Sequence, residues 1–313
     1  MLVTPNSQLA AEFCSKEIRD FDSVQAAVRA CPPVASLRQI NDSLNRLTAQ
    51  SNSSVSEISE VISRDMSMTA RLLRLVNSVF TGLSVHVTSV DEAIFYLGLR
   101  QIRQLALTAR IVEETRSFGC DDVSDSVDWA QFWRHSIGCG ILSREILSMA
   151  SGSMDDDVYY ISGLMQDVGK LVMFNIFPAE LAQRQQLVAG SREELALLEY
   201  ESYGWNHAQI GALYLESNNM PQPVVEAVLF QFEPSRAASG AKLAAGVQLA
   251  ETIARYGGCQ ASFENTNDVE YEDWEQLAGW EILFGTDKAE RQYARATILS
   301  CVERLPIILK GLL

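Results

Sequence analysis

Few residues in this chain have the types and spacing for acid–base or metal chemistry. There are three histidines, at positions 86, 135 and 207, and an imidazole is the usual ligand or general base at neutral pH. His86 stands alone in the short Ser84–Thr88 linker and is read as a solvent-facing loop residue. His135 falls in an apolar helical stretch. His207 follows Asn206, which fits an N-cap and places the histidine in a helix's first turn, where unpaired backbone donors gather. The segment Gly163-Leu164-Met165-Gln166-Asp167-Val168-Gly169-Lys170-Leu171 sets a carboxylate among apolar residues. An aspartate buried there would need a cation or several donors. Lys170, three residues on, is expected to pair with Asp167 on one helix face rather than to bind phosphate. Cys139 lies one turn after His135 between Gly138 and Gly140, and is read as a small packing residue, with a metal thiolate as the alternative. Spacing alone makes His135 and His207 hydrogen-bonded interior histidines, because nothing in the sequence brings them together.

The elements that must carry these residues are helices. Apolar residues recur at helical period almost throughout, as in Met68, Leu72, Leu75, Val76, Val79 and Phe80, and no segment alternates as a strand. Ser54 with Glu57, Ser89 with Glu92, and Ser191 with Glu194 fit capping boxes. The patterning predicts helices over 7–29, 35–49, 54–64, 67–80, 89–97, 100–116, 128–150, 156–176, 179–188, 192–202, 207–218, 222–231, 240–256, 271–283 and 288–311. The fold class is all-α. The polar stretch Ser117–Asp128 suggests a division into residues 1–118 and 119–313, and the acidic stretch Gly257–Asp273 reads as a solvated excursion. Trp129, Phe132 and Trp133 are expected in the core or between lobes.

Composition narrows the functions. The chain has 313 residues and a formal charge of −15, with acids clustered near 121–128, 155–157 and 264–275. Such a charge repels phosphate backbones and anionic membranes, so nucleic acid is not an expected partner, and a basic protein surface is. No apolar run approaches the length of a membrane helix. Met1–Phe13 does not read as a signal peptide, and the six cysteines form no CxxC pair, so a reducing cytoplasmic setting is expected. Phosphate loops, GxSxG elbows and HExxH helices are absent from the sequence.

A set of segments, in order, resembles the HDOD family, an output module of bacterial signalling proteins related to the HD-domain metal phosphohydrolases. These are Cys31-Pro32-Pro33-Val34, the run Ser54–Asn77 with Asp65-Met66-Ser67-Met68-Thr69-Ala70-Arg71-Leu72-Leu73-Arg74, Ser89–Ile94, Leu97-Gly98, Phe132-Trp133-Arg134-His135-Ser136, Gly163–Leu171 and the His207 helix. The likeness covers roughly residues 26–256. It implies an N-terminal helical lobe packed on an HD-like lobe. It also implies that His135, Gln166, Asp167, His207 and Glu251 stand where a metal-binding relative has its ligands, with Gln231-Phe232 at a further ligand position.

The departures weigh against hydrolysis. Gln166 replaces the histidine of a His-Asp dyad with a neutral amide, a weak ligand for transition metals, and Phe232 cannot ligate. A dinuclear centre is not expected. The Gly-Tyr-Pro signature of the cyclic-dinucleotide phosphodiesterases is missing. The expectation is a non-catalytic signalling or regulatory protein that works through protein–protein contacts, without a cofactor. Two alternatives remain open at this stage: a phosphohydrolase with one divalent metal ion on His135, Asp167 and His207, or a receptor that holds a nucleotide in the relic pocket. No receiver or cyclase segment is recognised, so input and output are expected from other signalling proteins.

Overall fold

The computed structural model describes residues 21–31, 73, 87–97, 128–151, 156–176, 191–260 and 273–312. All regular elements among these are helical: α1 (Phe21–Ala30), α2 (Val90–Leu97), α3 (Trp129–Ser151), α4 (Asp156–Leu164), α5 (Val168–Ile176), α6 (Arg192–Tyr203), α7 (His207–Ser217), α8 (Gln222–Leu229), α9 (Ala241–Tyr256), α10 (Ala278–Phe284) and α11 (Lys288–Leu312). Short 3₁₀ turns cover Pro234–Arg236 and Asp273–Gln276. His86, all of the first and last acidic clusters but Asp128, Asp273 and Glu275, the expected lobe boundary at 118–119 and the helices expected over 35–49, 54–64, 100–116 and 179–188 lie outside the described residues.

Helix α3 is the axis of the fold. Phe132, Trp133, Ile137, Leu142, Ile146 and Leu147 are buried along it, and a helix apolar on every side must be enclosed by others. Helices α4, α9 and α11 pack around it, while α5 packs on α7, α7 on α8, and α9 on α10. From the N-terminal part of the chain, α1 packs on α5 and α7, with Phe21 against Trp205 at a ring separation of 6.0 Å.

Several starts follow the expected chemistry. The Glu92 carboxylate accepts from the Thr88 and Ser89 amides while Ser89 Oγ accepts from the Glu92 amide, closing a capping box at α2. These donors hold the Glu92 carboxyl below its ordinary range, the Thr88 amide most of all. Ser191 caps α6, and Asn206 with Gln209 forms a reciprocal box at α7. Glu226 of α8 accepts from the Ser239 and Gly240 amides, tying down the chain as it enters α9.

Two expected helices are divided. The stretch read as one helix over 156–176 breaks at residues 165–167 into α4 and α5. Periodicity cannot reveal this break, because the residues on both sides are buried and apolar. Backbone proximity explains it. A methyl group on Gly163 would collide with the Cys139 carbonyl of α3, and one on Gly169 would collide with the His207 carbonyl of α7. Each glycine thus permits a backbone contact with a different helix, and the chain bends between them. The stretch 271–283 likewise resolves into the 3₁₀ turn and α10.

Candidate functional site: a buried, charge-balanced polar centre

The break between α4 and α5 puts Gln166 and Asp167 at the meeting point of α3, α6, α7 and α9. His135 arrives from α3, His207 from the first turn of α7, and Glu251 from α9. Lys170 comes from the first turn of α5. The structure therefore gathers His135, Gln166, Asp167, Lys170, His207 and Glu251.

Both imidazoles are held by their Nδ1 atoms. His135 Nδ1 lies 2.7 Å from the Cys259 carbonyl. A carbonyl only accepts, so Nδ1 carries the proton. That carbonyl is presented by the left-handed turn at Gly258 (φ 79°) just past α9. His135 Nε2 then accepts from Gln166 Nε2 at 3.1 Å, and the same amide donates to Cys139 Sγ at 3.4 Å. Gln166 Oε1 is buried without a hydrogen-bond partner. On α7, His207 Nδ1 lies 2.6 Å from Glu199 Oε2, which also accepts from the His207 backbone amide at 2.9 Å. His207 Nε2 accepts from an Arg192 amino group at 3.3 Å. Burial lowers the His207 pKa despite the opposing pull of Glu199, so this imidazole is neutral at neutral pH.

Asp167 stands between the histidines, Oδ2 at 3.7 Å from His135 Nε2 and Oδ1 at 3.8 Å from His207 Nε2. Its strong partners are cations. Lys170 Nζ donates to Oδ2 at 2.8 Å and Arg192 to Oδ1 at 2.6 Å. Burial alone would raise the Asp167 pKa, but the Lys170 and Arg192 charges outweigh it and hold the carboxyl well below the usual carboxylate range. Glu251 Oε1 lies 3.3 Å from Arg192 Nε and 4.0 Å from both His135 Nε2 and Arg255 Nε. Burial and the nearby Glu251 and Asp167 carboxylates raise the Cys139 pKa, so it is a thiol here and not a thiolate.

Arg192, Glu199 and Gln231 complete the site; Arg192 and Glu199 were not read from sequence, and Gln231 was named there only as occupying, with Phe232, a ligand position of metal-binding relatives. Gln231 Oε1 accepts from Arg192 at 3.3 Å, and its amide donates to the Gln166 backbone carbonyl at 3.1 Å. Phe232 covers the group, edge-on to His207 and with the Arg192 guanidinium 5.3 Å from its ring centre. A signal for Arg192 was present. It is the first residue of α6, where the helix dipole disfavours a cation, so only a specific partner explains it. Glu199 follows by seven residues, hence on the same face, within a stripe that also contains Leu195, Ala196 and Tyr203.

The donor set does not fit a metal ion as it stands. The carboxylates Asp167, Glu199 and Glu251 are matched by Lys170, Arg192 and Arg255, none more than 6% exposed, and the imidazoles add no charge. An added divalent cation would leave two uncompensated positive charges in a buried region. Its ligand positions are also taken, since N–H donors meet both Nε2 lone pairs and both Asp167 oxygens. Among the described residues, no group of three or more His, Cys, Asp or Glu side chains is arranged to hold a metal ion.

Comparison with known proteins agrees with this architecture. A solved structure of an HDOD domain protein of unknown function from Geobacter sulfurreducens superposes with a TM-score of 0.70 at 18% identity, covering 98% of this chain and 97% of that one. A structure described as a candidate phosphohydrolase from Shewanella amazonensis SB2B gives a TM-score of 0.66 at 25% identity, covering 93% of this chain and 98% of that one. The arrangement is thus the all-helical HDOD fold of two packed helical lobes. An uncharacterised protein of Treponema pallidum (strain Nichols) is 27% identical over 181 residues, which are 56% of this chain and 33% of that protein. The chain therefore spans about a third of the length of the curated relative it matches. The HDOD domain pattern itself matches residues 34–234, and the chain belongs to the HDOD domain family.

Proposed function

We propose that this protein is a non-catalytic module of bacterial signal transduction that acts by binding other proteins, with the polar centre serving to fix the relative positions of α3, α5, α6, α7 and α9. One observation carries this reading. Asp167, the carboxylate that any metal on this site would need, has both oxygens engaged by Lys170 and Arg192 inside a closed and neutral cluster. A structure described as a candidate signal transduction protein from Marinobacter aquaeolei VT8 shares the fold, with a TM-score of 0.63 at 17% identity, 97% of this chain covered and 64% of that one. The strongly acidic charge favours a partner with a basic surface.

The competing reading is metal-dependent phosphohydrolysis, favoured by the description of the Shewanella relative. Elemental analysis of purified protein, with assays on generic phosphoesters under added Mn²⁺, Mg²⁺ and Zn²⁺, separates the two. We expect no stoichiometric metal, no turnover and a melting temperature unaffected by EDTA. Stoichiometric metal, with turnover abolished in Asp167→Ala, would overturn the non-catalytic reading.

A further inference from the structure

We propose that the outward face of helix α6 is where this protein takes its partner, a basic protein segment that seats an apolar side chain on Leu197 among the carboxylates of Glu193, Glu194 and Glu201. This rests on the protein-binding reading above and assigns it a surface. At about 3.6 residues per turn, the helix has two distinct sides. Arg192, Leu195, Ala196, Glu199 and Tyr203 form the buried one. Glu193, Glu194, Leu197 and Glu201 are exposed on the other. Leu197 stands in the middle of that side, with Glu193 and Glu201 one turn before and after it and Glu194 three residues before. It is 56% exposed, one of three large hydrophobic residues so placed among the described residues. Half-buried Leu198 and Tyr200 widen the apolar spot.

The charges on this side are not all explained by the helix itself. Glu193 and Glu194 lie in the first turn, where the helix dipole favours anions. Glu201 lies near the other end, where the last turn holds no basic residue and the dipole disfavours an anion. Among the described residues Glu201 has no ion-pair partner. The exposed side carries no Lys or Arg, since the one cation of α6, Arg192, points inward to Asp167. A phosphate backbone or an anionic membrane would meet three carboxylates, so a segment bearing Lys or Arg is the ligand that fits. The leucine supplies an anchor from which water is excluded, and the carboxylates supply a rim that steers the approach. The face is also rigid before anything binds. Ser191 accepts from the Glu194 amide at one end, and at the other the left-handed Gly204 (φ 78°) donates its amide to the Tyr200 carbonyl. Arg192 and Glu199 fix the inner side to Asp167 and His207. Little ordering of this helix is therefore required on binding.

The test selects a displayed library of random linear peptides on the intact chain and measures the enriched peptides by fluorescence anisotropy. They are titrated with wild type, Leu197→Ser, the double variant Glu193→Gln/Glu201→Gln, and the charge-matched control Glu281→Gln/Glu290→Gln, whose two carboxylates are exposed on α10 and α11. All substitutions fall at exposed positions, so each variant is expected to melt as wild type does. Enriched peptides are expected to carry Lys or Arg on both sides of an apolar residue. Leu197→Ser should weaken their binding about tenfold or more, as loss of an anchor does. Glu193→Gln/Glu201→Gln should weaken it about threefold and flatten its salt dependence, and the control should leave both unchanged. No enrichment, enriched peptides without basic residues, or basic peptides bound equally by all four proteins would overturn the proposal. So would self-association of the free protein that Leu197→Ser abolishes, which would assign the face to a second copy. Basic peptides bound equally by all four proteins would sink this face and leave the protein-binding reading standing, whereas metal-dependent turnover in the phosphoester assays would sink that reading alone.

Discussion

Asp167 carries more of the centre than any other single group, because two cations from two helices depend on it. Asp167→Ala would leave Lys170 and Arg192 buried without their shared anion, and breaking a buried pair from one side typically costs about 3–5 kcal/mol. The expected result is a matching fall in stability by urea denaturation, larger than for removal of an exposed pair such as Arg236–Glu233, where the loss should stay under about 1 kcal/mol. The sequence made Asp167 conspicuous and offered Lys170 as its partner, since both sit in one short apolar segment. Arg192 is distant in sequence, and its role depends on a helix–helix arrangement that periodicity does not encode. The Cys259 carbonyl is less legible still. It is a main-chain atom placed by a left-handed glycine, and no side-chain pattern announces it.

At the scale of elements, glycine contacts decide where the polar residues converge. Gly163 lets α4 meet α3 beside Cys139, and Gly169 lets α5 meet α7 beside His207 and Gly211. Gly169→Ala should therefore force α5 and α7 apart, losing at least the ~1–3 kcal/mol usual for overpacking. Gly138→Ala is the contrast. Its added methyl would meet Leu305 at 3.5 Å and Cys259 at 3.8 Å, ordinary contact distances, and alanine is the better helix former by up to about 1 kcal/mol. Thermal melts of the two variants should move in opposite directions. Helix type and caps were readable because they depend on neighbours in the chain, as at Asn206 and Gln209. The break at 165–167 was not, because it answers to backbones on other helices.

For the whole molecule, the centre makes stability depend on pH in a definite sense. The His207 pKa is lower in the folded protein than its ordinary value of about 6.5. Below that pH the unfolded chain takes up a proton that the folded chain refuses, so stability is lost as pH falls from about 6.5 toward the folded value. Asp167 acts in the same direction at lower pH, its contribution being present above about 3.9 and lost as protonation is forced on the native state. Urea midpoints measured between pH 7.5 and pH 5 should fall for wild type and fall less for His207→Asn. An equal slope in the two proteins would show that His207 does not carry the effect. No described helix is long and apolar enough to cross a membrane.

The seven-residue spacing of Arg192 and Glu199 on α6 makes that helix a two-pronged plug. The Arg192 guanidinium reaches Asp167 Oδ1 and His207 Nε2, and Glu199 holds Nδ1 of the same imidazole, so the two prongs grip one ring from its two nitrogens. A slide by one turn, or a rotation by one residue, would pull both prongs from their sockets at once and strand two charges away from water. Helix α6 therefore keeps or loses its two charged contacts together.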